Sequence, residues 1–433
     1  MAHSADQTDR RALLLDLYRE AVRVAHPATC VPPHLPALGD GENLLVLGAG
    51  KADAAMAVAV EEHYDRLGQL GRITGFVTTR HGFGLPTRRL EIVEAGHPVP
   101  DAASAAAADR ALALARAVGP RATILVLLSG GASALWSAPV DGVTAADKQA
   151  LTKQLLRSGA PIGDINTVRR HLSRIKGGRL AQAAGGAHML TLAISDVPRD
   201  EPQAIGSGPT VADPTSLADA RAVLAKYRIT PPAAIARALD DTANETLKPG
   251  AAQLAKARFE IVARPQASLD AAAVMARKAG YQPVLLGDSL EGEAREIGHA
   301  HAQLALAAHQ RRERVAILSG GEFTVTVTGH GAGGPNQEYA LGLALGLDGA
   351  AGITALAADT DGIDGGSGAA TDPAGALVFP DTLKRARLCH MDAGDMLSNN
   401  DSTAFFRAFG DLVTCGPTQT NVNDFRVILV DPN

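Results

Sequence analysis

The chain has 433 residues, a prior of two or three domains at roughly 150 residues each. Hydrophobic residues make up 46% and charged residues 20%, which excludes wholesale disorder, while aromatics at 3% argue against stacking of single-stranded nucleic acid. With 41 basic and 46 acidic residues the net charge is −5, so no global field draws nucleic acid or an anionic membrane, and any anion must be held by a local cluster.

The three cysteines, Cys30, Cys389 and Cys415, are odd in number and widely spaced, with no CxxC, so neither a disulfide framework nor a zinc site is expected. No signal-type apolar run succeeds the first residues. Residues 11–26 instead read as an amphipathic helix with Leu13, Leu14, Leu17, Ala21 and Val24 on one face. The most apolar stretch, 122–136, is broken by Ser129-Gly130-Gly131 and is too short to span a bilayer. A cytoplasmic protein is expected.

Apolar runs at 43–47, 73–78, 90–94, 124–128, 189–194, 259–262, 283–286, 315–318, 324–328, 353–357 and 425–429 read as strands. Ala-rich stretches between many of them are long enough for crossover helices, so the fold class is α/β with mostly parallel sheets. The alternating run 324–328 suits an antiparallel or edge strand. Residues 217–256 show no clear strand, and Pro231-Pro232 and Lys248-Pro249-Gly250 read as breaks and a linker. Two domains are therefore expected, 1–250 and 251–433.

Ligands of open parallel sheets bind beyond the carboxyl ends of the strands. Six of the runs end in LGAGK (47–51), TTRHG (78–82), LSGGAS (128–133), ISDVPRD (194–200), LSGGE (318–322) and AADTDGIDG (357–365). Gly48-Ala49-Gly50 begins like a dinucleotide fingerprint, but Asp53 stands where the third small residue belongs. The next strand end offers Thr78, Thr79 and Arg80 rather than a ribose-binding acid. Walker A also fails, because its loop is longer and Lys51 is followed by Ala52. There remain a strand, two glycines and Lys51 at a helix start, a place for phosphate or carboxylate or simply a tight turn with a solvated lysine.

The Ser129-Gly130-Gly131-Ala132-Ser133 loop and Ser319-Gly320-Gly321 can wrap an oxyanion with backbone N–H groups, or be plain glycine turns. GxSxG is absent, which weakens a serine nucleophile. Asp196, Asp359, Asp361 and Asp364 crowd two strand ends. Carboxylates there hold Mg²⁺ or accept a hydroxyl proton; turn and cap roles suit Asp359 and Asp364 better, and function suits Asp361 and Asp196. The acidic run is not an EF-hand loop, since its twelfth position is Ala370. The basic run Arg169, Arg170, Arg174, Lys176 and Arg179 is either a solvated helix face or a triphosphate grip. On spacing alone His97 reads as a turn residue and Asn399-Asn400-Asp401-Ser402 as a helix cap.

Taken together, EAGHPVPDAAS (94–104), LLSGGASAL (127–135), DINTVRRHLSRIKGGRLA (164–181), ISDVPRDEPQAIGSGPT (194–210), LSGGEFTV (318–325), GGPNQEYAL (333–341), DTDGIDG (359–365), NNDS (399–402) and GPTQTNVNDFRV (416–427) resemble the class II glycerate 2-kinases. This two-domain family carries a MOFRL C-terminal domain, and members are also labelled hydroxypyruvate reductases of tartrate utilisation. The resemblance implies a Rossmann-like α/β/α N-terminal domain, a smaller α/β C-terminal domain, and an active site in the interdomain cleft. It implies transfer of the γ-phosphoryl group of ATP to the C2 hydroxyl of D-glycerate, with Mg²⁺.

Carried over, Lys51, Asp196 and Asp361 are catalytic, with the two aspartates also the metal candidates. Gly48, Gly50, Ser129, Gly130, Gly131, Ser133, Gly320, Gly321 and Lys176 hold the nucleotide. Arg80, His97, Arg174 and Asn336 meet the substrate. Many relatives have Arg within GGRNQE where this chain has Pro335, so that role is empty or passes to Arg80 or Arg174; Pro there pulls toward the tartrate-pathway subgroup. The alternatives are an NAD(P)H-dependent hydroxypyruvate reductase and a non-enzymatic binding protein for small organic acids. Expected partners are glycerate and ATP, with no nucleic acid and no membrane, for a monomer or homodimer.

Overall fold

The computed structural model describes residues 2–119 and 121–432. The chain divides into two units, Cys30–Val262 and Met1–Thr29 with Ala263–Asn433. The first residues thus group with the C-terminal half, and the crossing falls at Val262. The Lys248-Pro249-Gly250 stretch lies inside the Cys30–Val262 unit, because Leu247 N–H donates to Gly177 O at 3.1 Å and Asp213 N–H to Leu247 O at 2.7 Å. The segment read as a linker contains the helices Leu217–Lys226 and Ala233–Asp240.

The Cys30–Val262 unit is built on six strands: β1 (Leu44–Ala49), β2 (Ile73–Arg80), β3 (Glu91–Ala95), β4 (Thr123–Leu128), β5 (His188–Ile194) and β6 (Ala257–Ala263). Their order is β3-β2-β1-β4-β5-β6, the doubly wound order of a Rossmann-like fold. Pairing from β3 through β5 is parallel. The runs in β1 and β4 are continuously apolar because both faces are buried, as a parallel sheet requires. Helix Ala102–Ala117 is started by a capping box between Asp101 and Ser104 and buries a narrow stripe of Ala107, Ala108, Ala111, Leu112 and Ala115. In register, Ala49 faces both Thr78 and Leu128, and Leu128 faces Ala193. The carboxyl ends of β1, β2, β4 and β5 are therefore level, and their loops leave from one edge of the sheet.

The other unit contains β7 (Gln282–Leu290), β8 (Val315–Gly321), β9 (Ile353–Asp359), β10 (Gly375–Val378), β11 (Leu412–Val413) and β12 (Asp424–Val430). Their order is β11-β10-β9-β12-β8-β7. Only β7 and β8 pair in parallel; β12 runs antiparallel to both β8 and β9, as does β10 to β9. The expectation of mostly parallel strands fails in this sheet, because β12 enters between β8 and β9 from the far end of the chain. The alternating run 324–328 forms no strand. Thr324 makes one isolated bridge to Glu293, and the segment beyond it bonds to side chains instead. Helix Ala2–Ala25 covers this sheet with Leu14, Leu17, Tyr18 and Ala21, packed beside helix Pro265–Lys278. No helix among the described residues is long and apolar enough to cross a membrane.

Candidate functional site

At the edge where β1 and β4 end, backbone and side chains interlock. Gly50 N–H donates to Thr78 O at 3.0 Å, and Lys51 N–H to Gly130 O at 2.8 Å. Ala52 N–H donates to Ser129 Oγ at 3.0 Å, and Ser129 Oγ–H to Asp53 Oδ1 at 2.5 Å. Gly50 is required here: a Cβ would stand 1.9 Å from Ser129 Oγ. Gly48 is required as well, since a Cβ there would stand 2.6 Å from Asp53 Oδ2. Asp53, the residue that spoils the dinucleotide fingerprint, is fully buried, and burial holds its carboxyl well above the ordinary range, against the opposing pull of the Ser129 hydroxyl. The glycines of GAGK thus make room for this clasp, which carries Lys51.

The amides of Gly130 and Gly131 donate to no acceptor among the described residues. Gly131 adopts φ +85, and a Cβ on it would lie 2.8 Å from His97 Cδ2 and 3.5 Å from Lys51 Cγ. Lys51, the Gly130-Gly131 amides and half-buried His97 therefore converge. Spacing alone makes His97 a turn residue; only folding brings β3's end against the β4 loop. Asp196 follows β5 at the same sheet edge and is half-buried. Arg80 ends β2 with its guanidinium 4.4 Å from the Phe83 ring centre.

Behind this loop, buried Lys176 donates from Nζ to Ser133 Oγ at 2.6 Å and to Ser133 O at 2.8 Å, and Arg169 Nη2 donates to the same hydroxyl at 2.9 Å. Burial and then the like charges of Arg169 and Lys148 push the Lys176 amine well below its usual range. The basic run is thus divided by the fold. Arg170 pairs with Asp213 at 2.9 Å. Arg174, expected to meet the substrate, spans Pro139 O at 2.8 Å and Asp109 Oδ1 at 2.7 Å as a surface strut. Lys148 escapes a reading of the sequence because it looks like an exposed helical lysine. The available signal is its spacing, on the same stripe as Leu151 and Leu155 of helix Ala145–Arg157.

In the unit containing β7–β12 the second Ser-Gly-Gly is unlike the first. Gly320 and Gly321 belong to β8, and a Cβ on Gly321, at φ +95, would stand 2.2 Å from Leu290 N and O. These glycines permit close strand packing rather than forming an open nucleotide loop. Asn336, expected to meet the substrate, is 1% exposed and donates from Nδ2 to Asp424 Oδ1 at 2.6 Å. Asp364 caps helix Pro335–Leu347 by accepting from Asn336 N and Gln337 N, both at 2.9 Å. Burial lifts its carboxyl to about 7. Pro335 occupies the first helical turn, where no N–H is needed.

Asp361, 3% exposed, follows β9 and accepts Ile363 N–H at 2.9 Å. Asn400 does not act as a cap; its Oδ1 accepts Thr328 N–H at 2.8 Å and Gly329 N–H at 2.9 Å, pinning that segment. No group of three or more His, Cys, Asp or Glu gathers for a metal among the described residues. A nucleotide-borne Mg²⁺ needs only one or two carboxylates besides phosphate oxygens, so single strand-end aspartates fit that donor set.

A domain of unknown function, DUF4147, matches residues 13–240, and the MOFRL family matches residues 315–424. The D-glycerate 2-kinase of Thermotoga maritima is 36% identical over 98% of this chain and 99% of its own. The chain belongs to the class II glycerate kinase family. A protein of Agrobacterium vitis named "Putative hydroxypyruvate reductase" is 48% identical over 97% of this chain and 94% of its own. Among solved structures, a glycerate kinase from Thermotoga maritima superposes with a TM-score of 0.87 at 36% identity, covering 98% of this chain and all of that one. Family membership thus rests on both halves of the sequence and on the fold.

Proposed function

We propose that the protein is a cytoplasmic glycerate 2-kinase that transfers the γ-phosphoryl group of ATP to the C2 hydroxyl of D-glycerate, giving 2-phosphoglycerate and ADP. Kinship to named glycerate kinases supports the reaction class. The observation that carries the site is the convergence of Lys51 with the Gly130 and Gly131 amides on one sheet edge. Phosphoryl transfer needs positioning and charge neutralisation more than covalent chemistry from the protein. Lys51 neutralises the transferring group, the glycine amides hold its oxygens, and Lys176 braces the loop from behind through Ser133. Asp196 or Asp361 orients the attacking hydroxyl and takes its proton. One of these carboxylates would hold Mg²⁺, which would supply further charge neutralisation on the phosphates. His97 or Arg80 meets the glycerate.

The reductase reading has no support in the site. Asp53 fills the space beneath GAGK that a dinucleotide fingerprint leaves for close packing, and the β2 end presents Thr78, Thr79 and Arg80 in place of a ribose acid. The deciding assay follows ADP from protein, ATP, Mg²⁺ and D-glycerate, with NADH and NADPH oxidation by hydroxypyruvate measured in parallel. ADP formation that depends on glycerate is the expected result. Cofactor oxidation without ADP overturns the proposal.

A further inference from the structure

Buried cations normally stand beside an acid, because removing a charge from water costs far more than it returns without a partner. The Cys30–Val262 unit breaks this pattern. Lys148 and Arg179 are each 8% exposed and Lys176 is 2% exposed. With half-buried Arg169, none of them makes an ion pair among the described residues; they donate to neutral oxygens. Lys148 Nζ donates to Leu172 O at 3.1 Å, and Arg179 Nη1 to Ser173 O. Lys176 and Arg169 share the Ser133 hydroxyl. Arg179 Nη2 is buried with no acceptor. The acids Asp213 and Glu245 lie within electrostatic reach of Arg179, yet Asp213 pairs with Arg170 at 2.9 Å, and Glu245 pairs with His171 at 2.9 Å and Lys248 at 2.7 Å.

The cations also feel one another. Burial, then the charges of Arg169 and Arg179, bring the Lys148 amine down to about 7. Ser133 Oγ accepts two cationic donors, so its own proton points to Ser207 Oγ, 2.9 Å away. Ser207 holds that position in the left-handed region, at φ 63. A non-glycine residue kept there signals a constraint imposed by its surroundings.

We propose that Lys148, Arg169, Lys176 and Arg179 form a buried oxyanion site around Ser133, whose missing counterion is a phosphate-type anion of charge two or more. Two guanidiniums already outnumber a single carboxylate, and an anion of higher charge also draws protons onto the two amines, so glycerate alone is a poor occupant. Assignment of the anion to a nucleotide phosphate rests on the kinase reading; the existence of the site does not. Phosphate groups of ATP or ADP, the phosphomonoester product and free phosphate share this chemistry.

The test titrates the whole protein with inorganic pyrophosphate, reading thermal midpoint and calorimetric affinity for the parent, Lys176→Met and Lys148→Met. The parent midpoint rises with pyrophosphate concentration. Either variant binds at least about tenfold more weakly, yet has a ligand-free midpoint equal to or above the parent's, because a desolvated amine crowded by like charges has gone. Should Lys176→Met fail to fold, Lys148→Met carries the same comparison. A variant with a lowered ligand-free midpoint and unchanged pyrophosphate affinity shows a purely structural lysine and overturns the site. So does a parent that ignores pyrophosphate, phosphate and ADP alike. Tighter binding of ADP than of 2-phosphoglycerate assigns the site to nucleotide, and the reverse assigns it to product. Pyrophosphate binding without glycerate-dependent ADP formation removes the kinase reading and leaves the site standing.

Discussion

Replacing Ser129 by alanine tests the clasp beneath Lys51. The hydroxyl accepts Ala52 N–H at 3.0 Å and donates to Asp53 Oδ1 at 2.5 Å, and all three residues have no exposed surface. Alanine leaves one buried donor and one buried carboxyl unpaired, each worth ~1–3 kcal/mol, so the expected loss is about 2–6 kcal/mol. Asp53 has no compensating partner, because its Oδ2 already lacks one. Lys51 keeps its backbone bond to Gly130 O but loses the tie one residue on, so turnover falls by about tenfold to a hundredfold. The chain's one tryptophan, Trp136, donates to Thr78 Oγ1 at 3.2 Å beside the clasp, so its fluorescence during urea unfolding reports on this unit.

Asp53→Asn supplies the electrostatic half of that test. Burial raises the Asp53 pKa in the folded state, so the folded protein binds a proton that the unfolded chain has already released. Stability therefore falls as pH rises from the ordinary carboxylate value through the folded one. Asparagine removes that slope while keeping the shape. A Ser129→Ala variant within about 0.5 kcal/mol of the parent, or an Asp53→Asn variant that keeps the parental slope above the ordinary carboxylate range, refutes the reasoning.

Other substitutions separate function from support. Lys51→Ala lowers kcat by about 10²–10³-fold with an unchanged far-ultraviolet dichroism spectrum, and near-parental turnover removes the lysine from the mechanism. Gly321→Ala forces a Cβ 2.2 Å from the Leu290 backbone at φ +95 and costs at least about 2 kcal/mol by urea unfolding, with KM per folded molecule unchanged. Arg174→Ala, a 35% exposed strut, costs about 0.2–1 kcal/mol and leaves kinetic constants near parental; a large rise in KM for glycerate would restore its substrate role.

The sheet of β1–β6 is legible in the sequence because parallel strands buried on both faces write themselves as continuous apolar runs. Strand ends are legible for the same reason, since glycine and polar residues punctuate each run. The second sheet is less so. The short β10 and β11 carry too few residues to show a period, and direction is a property of connection rather than of composition. The site shows the same division. Lys51 sits beside its loop in sequence, so local pattern finds it. Lys148 and Ser207 reach the Ser133 neighbourhood from distant segments, and no spacing within the chain announces a charge whose partner is absent.

The two Ser-Gly-Gly strings show why a motif needs its surroundings. Each ends a strand, and each reads as an oxyanion loop. After β4 the strand stops at Leu128, and the Gly130 and Gly131 amides donate to no acceptor among the described residues. In β8 the ladder continues through Gly321 because β7 bulges alongside, pairing Gly287 with Ser319 and Leu290 with Gly321. The neighbour's extra length turns the same three residues from a loop beyond the sheet into packing glycines. The chemistry is decided by whether the adjacent strand ends first, and that information lies some thirty residues upstream of the second motif and nowhere within it.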